Sequence, residues 1–454
     1  MFVILLLIYL ESSHQSLLVL FRPRSRHTST LSCDIYPQYD DIIIDNDEWT
    51  APHIELIDLY HQHGGKGIRI KSYANNENLQ AFVQFKRVEI DNIGGNLNAL
   101  IDAVAKSVLS YCLYEVLVEE KSLSQIIEQF NNTTNNSKDN ILSDVAIGIP
   151  DDPYISKKEL SGVLNKLSHV WNKLSSNLSA TLKIKLFINN LMDYNHNSAL
   201  ICNQLSKSLA VPLLNGEGNR EPLPQKSEGN RRPVSGVFKK FSLNKMPFKL
   251  KTSMEPELSL LMSSFANINK NSIVVDPFCG SCQLLLAAAL KGAEINIGAD
   301  VEILEDKIKS NFVYMKLKPP TILHQALPET LNGSIICTAI ITDPPYAMSE
   351  NIHYIEDEIV VTRNDIINEV DANLYTNKII QNLLVLASAC LISKGRLIFF
   401  LPFRHKNSNI STNESRISAL SALPQLPDNL SFLFSLRQVL SPTFSRFLIV
   451  IEKK

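Results

Sequence analysis

The sequence of 454 residues has almost no net charge, no long apolar run and no paired-cysteine pattern. Because its formal net charge is −2, any nucleic-acid surface must come from local clustering of basic residues. The seven cysteines are odd in number and mostly scattered, which argues against a disulfide framework and indicates a reducing compartment, the cytoplasm. With 45% hydrophobic and 20% charged residues, the chain reads as an ordinary globular protein of two or three domains.

The apolar stretch 1–10 is the one candidate for targeting. It is too short to span a bilayer, and Glu11 interrupts it. It also has no preceding basic residue and no small-residue cleavage site, so a signal peptide is disfavoured. We expect a buried strand or an accidental extension.

Residues 36–195 predict a compact α+β region in which nothing looks catalytic. Apolar spacing and a closing glycine pair predict a helix over 52–65. His61 and His63 lie in that helix without further ligands nearby, so we interpret them as polar-face residues rather than metal ligands. The other predicted elements are strands at 81–85, 111–118 and 181–188 and helices at 96–109 and 122–130.

A composition shift between 215 and 236 marks a linker. Residues 220–251 contain nine basic and two acidic side chains, a strong local excess in a nearly neutral protein. This stretch is either a solvated charged linker or a segment that contacts phosphates. The candidate contacts within it are Arg231, Arg232, Lys239, Lys240 and Lys245.

From residue 255 onward, helices and strands alternate. A buried strand at 272–276 ends in Asp276, a glycine-containing turn leads into a helix at 283–291, and a strand at 294–300 ends in Asp300. This pattern is typical of a nucleotide-type site, in which turn amides meet the ligand and the second acid accepts from ribose hydroxyls. Further elements are predicted as a helix at 377–392 and strands at 338–342, 395–401, 430–436 and 447–452.

Asp343, Pro344, Pro345 and Tyr346 follow the predicted strand at 338–342. The prolines cannot donate ladder hydrogen bonds, so they force the chain out of the sheet. A carboxylate and a proline carbonyl are acceptors for an amino group, and the tyrosine ring can stack on a planar base. The cluster suits chemistry on the amino nitrogen of a flat heterocycle; the alternative is a tight turn capped by Asp343.

Three stretches in order, at 276–286, 298–302 and 342–346, resemble the motifs of S-adenosylmethionine-dependent amino-methyltransferases. More narrowly, the chain resembles the THUMP-containing tRNA guanine-N2 methyltransferases that modify guanosine 10. The similarity covers about 236–454, is weaker over 80–130 and is absent over 1–35. Additional support comes from 241–259, 391–402 and 436–454.

The resemblance implies a Rossmann-like α/β class I methyltransferase domain of seven strands, preceded by an RNA-binding THUMP-like region. The implied boundaries are an extension at 1–35, the N-terminal and THUMP-like region at 36–195, a linker at 196–235 and the catalytic domain at 236–454. Positions matching the family's cofactor site are Thr252, Asp276, Phe278, Gly280, Ser281, Asp300 and Gln325. Asp343, Pro344, Pro345 and Tyr346 match the base site, and Glu350 is a further substrate candidate.

The cofactor turn departs from the family pattern at Cys282, where glycine is usual, and we expect its Cβ to crowd the turn. Gln325 stands near the position of the usual adenine-side acid. Cys279 and Cys282 also form a CxxC pair, which is a redox or zinc half-site in other proteins, but no second pair accompanies them.

The family works with a small zinc-binding activating subunit, so the resemblance also implies a heterodimer. Three functions remain open at the level of sequence. The chain is an active tRNA methyltransferase, a silent RNA-binding relative that lost cofactor affinity through Cys282, or an amino-methyltransferase acting on DNA bases.

Overall fold

The computed structural model describes two large sheets and the helices that cover them. The residues described are 17–21, 31–35, 37, 39, 42–45, 50–72, 85–90, 96–120, 146–148, 184–188, 199–207, 240–301, 303–324, 335–345, 354–356, 359–361, 369–404, 419–441 and 444–454. The apolar stretch at 1–10 lies outside them.

The N-terminal sheet has the strand order β3-β4-β5-β1-β6-β9-β8-β7, with mixed parallel and antiparallel pairs. Helices α1 and α2 pack against each other, and α2 also packs on the sheet. The elements of this half of the chain are β1 (Leu17–Phe21), β2 (Leu31–Ile35), β3 (Ile42–Asp45), α1 (Ala51–Gln62), β4 (Ile68–Ser72), β5 (Phe85–Ile90), α2 (Leu97–Lys106), β6 (Ser110–Glu120), β7 (Ala146–Gly148), β8 (Ile184–Ile188) and β9 (Ala199–Lys207).

Most predicted elements of this half are found close to their predicted positions. The helices at 52–65 and 96–109 are α1 and α2, and the strands at 111–118 and 181–188 correspond to β6 and β8. The strand predicted at 81–85 overlaps β5 at Phe85, from which β5 continues to Ile90, and residues 81–84 lie outside the described part of the chain. Residues 122–130 lie outside the described part of the chain.

The predicted linker at 196–235 also begins too early. Residues 199–207 form β9, which pairs antiparallel with both β6 and β8. Its polar residues, such as Asn203 and Gln204, weaken the strand signal, whereas pairing on both sides stabilises the strand through the sheet.

The second sheet has the strand order β12-β11-β10-β13-β16-β18-β17-β2. The pairs from β12 to β16 are parallel, and β18 is antiparallel to both of its neighbours. The elements are α3 (Pro256–Phe265), β10 (Ile273–Asp276), α4 (Gln283–Leu290), β11 (Ile295–Asp300), α5 (Glu305–Met315), β12 (Thr321–His324), β13 (Cys337–Thr342), β14 (Tyr354–Glu356), β15 (Ile359–Val361), α6 (Glu369–Cys390), β16 (Leu391–Arg404), α7 (Ala419–Ala422), β17 (Leu430–Ser441) and β18 (Phe444–Lys453).

The first seven strands of this order, with β18 antiparallel to its neighbours, are the Rossmann-like arrangement of class I methyltransferases, so this part of the predicted fold class is confirmed. The THUMP-like assignment of the N-terminal region stays a prediction. Successive residues of the central strands belong to different apolar clusters: Val274 and Ile341 to one, Val275 and Ile340 to the other. The sheet is therefore covered on both faces, as parallel sheets require. Helix α6 begins at Glu369, earlier than the predicted 377.

The eighth strand of this sheet comes from the far end of the chain. Strand β2 lies in the stretch 1–35, to which the sequence assigned no role, and it pairs antiparallel with β17. Strand β1, from the same stretch, sits between β5 and β6 in the other sheet. The stretch thus contributes one strand to each sheet and ties the two halves together.

A buried ion pair also joins the halves. Arg396 on β16 donates from Nη1 to both carboxylate oxygens of Asp58 on α1, at 3.0 and 2.9 Å, and to the carbonyl of Phe265 at 2.9 Å. Its Nε lies 3.2 Å from Oε2 of Glu452. The Tyr39 hydroxyl donates to Asp58 at 2.9 Å, and burial raises the pKa of that phenol well above its usual range. Because an unpaired buried charge is costly, this network fixes α1 against the second sheet.

Within the described residues, we find no helix that is both long and apolar enough to cross a membrane.

Candidate active site

Three carboxylates converge at the carboxyl edge of the second sheet. Asp276 is the last residue of β10, Asp300 is the last residue of β11, and Asp343 directly follows β13. These strands are adjacent and parallel, in the order β11-β10-β13, so their ends meet at one edge. Ligands of open parallel sheets bind in the crevice at this edge.

Asp276 lies deepest, with only 1% of its surface exposed. Its Oδ1 accepts hydrogen bonds from the Thr342 hydroxyl at 2.7 Å and from the Phe278 amide at 3.1 Å. Burial raises the pKa of Asp276 to about 7, the two hydrogen bonds oppose this rise, and the nearby charges of Asp300 and Asp343 add to it. Asp276 is therefore a group whose charge changes near neutral pH.

The turn after β10 is fastened to β11. The amide of Cys279 donates to the Ala299 carbonyl at 2.9 Å, and the amide of Gly280 donates to Oδ2 of Asp300 at 2.8 Å. Gly280 has φ +46°, a left-handed conformation that glycine adopts without strain. The other oxygen of Asp300 accepts from the Val301 amide at 2.8 Å. The turn and the second acid thus form one connected unit.

Cys282 closes this turn and adopts φ 58°, in the left-handed region. This conformation explains why the resembled family usually has glycine at this position, because a non-glycine residue in it loses about 1–2 kcal/mol of conformational free energy. The Cys282 side chain is fully buried in the apolar cluster and hydrogen-bonded to the Cys279 thiol. The side chain therefore packs into the apolar core, and the expected crowding of a bound cofactor stays a prediction.

The Cys279–Cys282 pair does not form part of a metal site in the described part of the protein. No group of three or more metal-binding side chains is found there. Both thiols are buried, and hydrogen bonding to Cys282 together with burial raises the pKa of Cys279 far above its usual range. A thiol of this kind is a poor ligand and a poor nucleophile.

The segment before α3 contacts the cofactor turn through a serine that the motif reasoning did not single out. Ser253 Oγ lies 2.6 Å from Ser281 Oγ and accepts from the Leu250 amide at 2.8 Å. The predicted residue next to it, Thr252, is exposed at the surface of the same segment. Position within 252–254 was the only signal that pointed to Ser253.

Asp343 stands at the surface of the crevice, and its side chain is 23% exposed. Pro344 is buried and Pro345 is half-buried, so the proline turn is packed against the sheet. Arg446 on β18 approaches the carboxylate, with Nη1 3.3 Å from Oδ2 of Asp343. Sequence reasoning missed Arg446, because its strand lies 103 residues further along the chain.

Gln283, the first residue of α4, was also missed. Its side chain is 3% exposed, and neither its amide nitrogen nor its amide oxygen has a hydrogen-bond partner among the described residues. An unsatisfied buried amide is costly, so it marks a position where a ligand can supply the missing partner.

The remaining predicted residues divide into two groups. Lys240 and Lys245 are exposed, and Lys240 Nζ lies 5.9 Å from the centroid of the Tyr314 ring on α5. The residues that lie outside the described part of the chain are Tyr346, Glu350, Gln325, Arg231, Arg232 and Lys239.

A known protein-family model matches the part of the chain that contains this edge of the sheet. Residues 244–318 match the sequence model described as "UPF0020: RMKL-like, methyltransferase domain". This range includes Asp276, Asp300 and the cofactor turn between them.

Several curated proteins are similar to the chain. A Xenopus laevis tRNA (guanine(10)-N(2))-methyltransferase TRMT11 is 26% identical over 252 residues, covering 50% of this chain and 49% of the relative. The Dictyostelium discoideum TRMT11 is 28% identical over 195 residues, 39% of this chain and 37% of the relative. A Saccharomyces cerevisiae tRNA (guanine(10)-N(2))-methyltransferase is 26% identical over 210 residues, 39% of this chain and 46% of the relative.

The chain spans about half the length of these curated relatives, or less. Among solved structures, TrmN from Thermus thermophilus aligns over 96% of this chain and 100% of its own, with a TM-score of 0.37 and 12% identity. The recurrence of one kind of relative in several organisms confirms the family resemblance carried by the motifs at 276, 300 and 343.

Proposed function

We propose that this relative of the tRNA (guanine-N2) methyltransferases transfers a methyl group from S-adenosylmethionine to the exocyclic N2 amino group of a guanosine in tRNA, with position 10 as the expected nucleotide. The observation that carries the proposal is the convergence of Asp276, Asp300 and Asp343 on three adjacent parallel strands. The first two acids flank a cofactor turn, and the third follows the next strand with a proline turn.

The residues present fit the cofactor. Three carboxylates at one edge make a site that favours a cationic ligand, and the cofactor carries a sulfonium and an ammonium group. The buried amide of Gln283 offers a donor and an acceptor without partners in the described structure. When bound, S-adenosylmethionine supplies a methyl group on a cationic sulfur, which is open to in-line displacement by an amine.

The roles of the cofactor-site residues follow from their positions around the turn. We assign the ribose hydroxyls to Asp300, whose carboxylate is already held in place by two backbone amides. Thr252 lies on the segment that Ser253 ties to the turn. Gln325 is proposed for the adenine edge, and the residues proposed for the methionine end are Asp276, Phe278, Gly280 and Ser281.

The base site is proposed to act on the amino nitrogen of guanine. The two N–H groups of that nitrogen would donate to the Asp343 carboxylate and the Pro344 carbonyl, while the ring stacks on Tyr346. These acceptors favour a more pyramidal nitrogen and stabilise the positive charge that develops on it. Pro345 stiffens the turn that presents both acceptors. Asp343 is also the base placed to receive the proton that the methylated nitrogen releases.

Contacts to the rest of the tRNA are assigned to the basic stretch and the N-terminal half. Exposed Lys240 and Lys245 are available for phosphates. We extend the same role to Arg231, Arg232 and Lys239, and a substrate contact to Glu350, from their positions in the sequence. The N-terminal half is proposed as the THUMP-like RNA-binding region, held at a fixed angle to the active site by Arg396 and Asp58.

A small zinc-binding activating subunit is proposed as the protein partner. Such a subunit covers an exposed apolar surface of the catalytic domain. The lone chain is then expected to be poorly soluble or inactive until the partner is added, because a partner that binds the folded state stabilises it.

The silent-relative alternative predicts that Cys282 abolishes cofactor affinity, and the burial of its side chain in the apolar cluster favours the active enzyme instead. The DNA-base alternative uses the same four base-site residues, so only a comparison of tRNA and DNA as substrates distinguishes it from the proposed function. Both are tested by the experiment below.

The test is mass spectrometry of tRNA nucleosides after incubation with S-adenosylmethionine, with and without the activating subunit. We expect N2-methylguanosine in tRNA and no methylated base in duplex DNA. Asp343→Ala is expected to lose nearly all turnover while calorimetry shows cofactor binding retained. Unchanged tRNA methylation by purified Asp343→Ala would refute the assignment, and methylated DNA bases would favour the alternative.

A further inference from the structure

Arg446 is the cation next to the proposed base-site carboxylate. It lies on β18, and its Nη1 is 3.3 Å from Oδ2 of Asp343. Both groups are largely shielded, with 11% of the Arg446 side chain and 23% of the Asp343 side chain exposed. At this separation and burial the pair interacts more strongly than a surface ion pair.

The guanidinium is held by elements other than the one that carries Asp343. Its Nε donates to Oε1 of Gln438 on β17 at 2.8 Å, and its central carbon lies 3.8 Å from the centroid of the Phe400 ring on β16. Its Nη2 lies 4.0 Å from the sulfur of Met254, which precedes α3. A planar group stacked on a ring and hydrogen-bonded on one side has a fixed orientation.

The surroundings of Asp343 explain why a cation is needed there. Charged groups near Asp343 include Arg446 on β18 and Asp276 on β10, and Asp300 on β11 is a further carboxylate close to Asp276. Carboxylates that share a site favour protonation of one of them, whereas an adjacent cation favours the charged form. A protonated Asp343 would have one acceptor oxygen fewer for an amino group.

We propose that Arg446 is a positioning residue for the methyl transfer. It keeps the Asp343 carboxylate ionised and fixes its orientation, so that the carboxylate accepts a hydrogen bond from the substrate amino group. This inference rests on the proposed function of Asp343. Lysine cannot replace Arg446 fully, because an ammonium supplies charge without the plane that stacks on Phe400 and the fork that reaches both Gln438 and Asp343.

The first test is the pH profile of single-turnover tRNA methylation by the chain with its activating subunit, for the wild type, Arg446→Met and Arg446→Lys. For Arg446→Met we expect the acid limb to move about one pH unit upward and the plateau rate to fall about tenfold, while cofactor affinity changes less than about twofold. Arg446→Lys should restore the acid limb and only part of the plateau.

Arg437→Met is the matched control. Arg437 is the neighbouring arginine on β17, and its guanidinium lies 6.0 Å from the centroid of the Phe447 ring. Because successive residues of a strand point to opposite faces of the sheet, Arg437 lies on the face opposite Gln438, the partner of Arg446, and its substitution should leave the position of the acid limb unchanged. If Arg446→Met loses activity only in proportion to its folded fraction, with the pH profile unchanged, Arg446 is merely structural and the inference fails.

A second measurement separates this inference from the proposed function. The Asp343 carboxyl can be titrated by carbon NMR on aspartate-labelled protein, with Asp343→Asn identifying its resonance. The midpoint should rise by about one pH unit in Arg446→Met, with or without turnover. A wild-type chain that methylates no tRNA would count against the proposed function alone. A midpoint that stays the same in Arg446→Met would overturn the role of Arg446.

Discussion

The pKa of Asp276 makes a quantitative prediction about stability. The native carboxyl has a pKa of about 7, against about 3.9 for an aspartate in an unfolded chain. The raised value means that the native state holds the proton over a pH range in which the unfolded state has released it. Stability therefore falls as pH rises between about 4 and 7 and becomes independent of this group above pH 7.

The perturbation is Asp276→Asn. The asparagine keeps an Oδ1 that can accept from the Thr342 hydroxyl and the Phe278 amide, so the two hydrogen bonds of the site are retained. It removes only the titration. Each pH unit between 5 and 7 costs the wild type about 1.4 kcal/mol from this group, so the wild type should lose about 2–3 kcal/mol relative to Asp276→Asn.

The assay is urea unfolding of both proteins at pH 5, 6, 7 and 8, without cofactor. The difference in unfolding free energy should shift in favour of Asp276→Asn up to pH 7 and then stay constant. A difference that is the same at pH 5 and pH 8 would refute the reasoning, because the native carboxyl would then titrate like an unfolded one. A shift in the opposite direction would mean that the carboxyl is stabilised in its charged form.

Two further predictions concern positions away from the base. Cys282→Gly should change the unfolding free energy by less than about 1 kcal/mol, because relief of the left-handed conformation offsets the loss of the buried side chain. Calorimetry should show unchanged cofactor affinity. Cofactor binding that appears only in this variant would support the silent relative. Arg396→Met should lower the unfolding free energy, measured by urea unfolding, by about 3–5 kcal/mol, because it leaves the charge of Asp58 buried and unpaired. Adding Asp58→Asn should recover most of this loss. An unfolding free energy that is unchanged in Arg396→Met would mean that the two halves are not joined through this pair.

Local sequence patterns predicted the strands of the second sheet that carry the site, but not the residues from elsewhere that complete the site. The strands that end in Asp276 and Asp300 can be recognised by apolar runs, a glycine turn and a terminal acid, all between residues 272 and 300. Arg446 and Gln283 gave no such signal. The first depends on a strand pairing far along the chain, and the second on burial without a partner.

The same limit applies to the N-terminal stretch. The apolar runs of β1 and β2 are short and are separated by a basic segment, so no local sequence signal indicates that the two strands join different sheets. Their positions are decided by long-range pairing with β5, β6 and β17. Strand β2 adds to the open hydrogen-bonding groups of β17 at a sheet edge, and β1 fills a place between two strands, so neither position follows from the strand's own sequence.

The three carboxylates themselves argue for a ligand more strongly than any one of them does. Folding alone gives no reason to bring Asp276, Asp300 and Asp343 to one edge, since burial and mutual repulsion both raise the pKa of Asp276. The described structure compensates this charge only in part, through Arg446 beside Asp343 and the amides that hold Asp300. Among the described residues, the donors to Asp276 are one hydroxyl and one amide. A cationic group near Asp276 would release its proton and stabilise the folded chain, so a ligand with cationic groups suits this edge because it would remove the repulsion that the fold leaves in place.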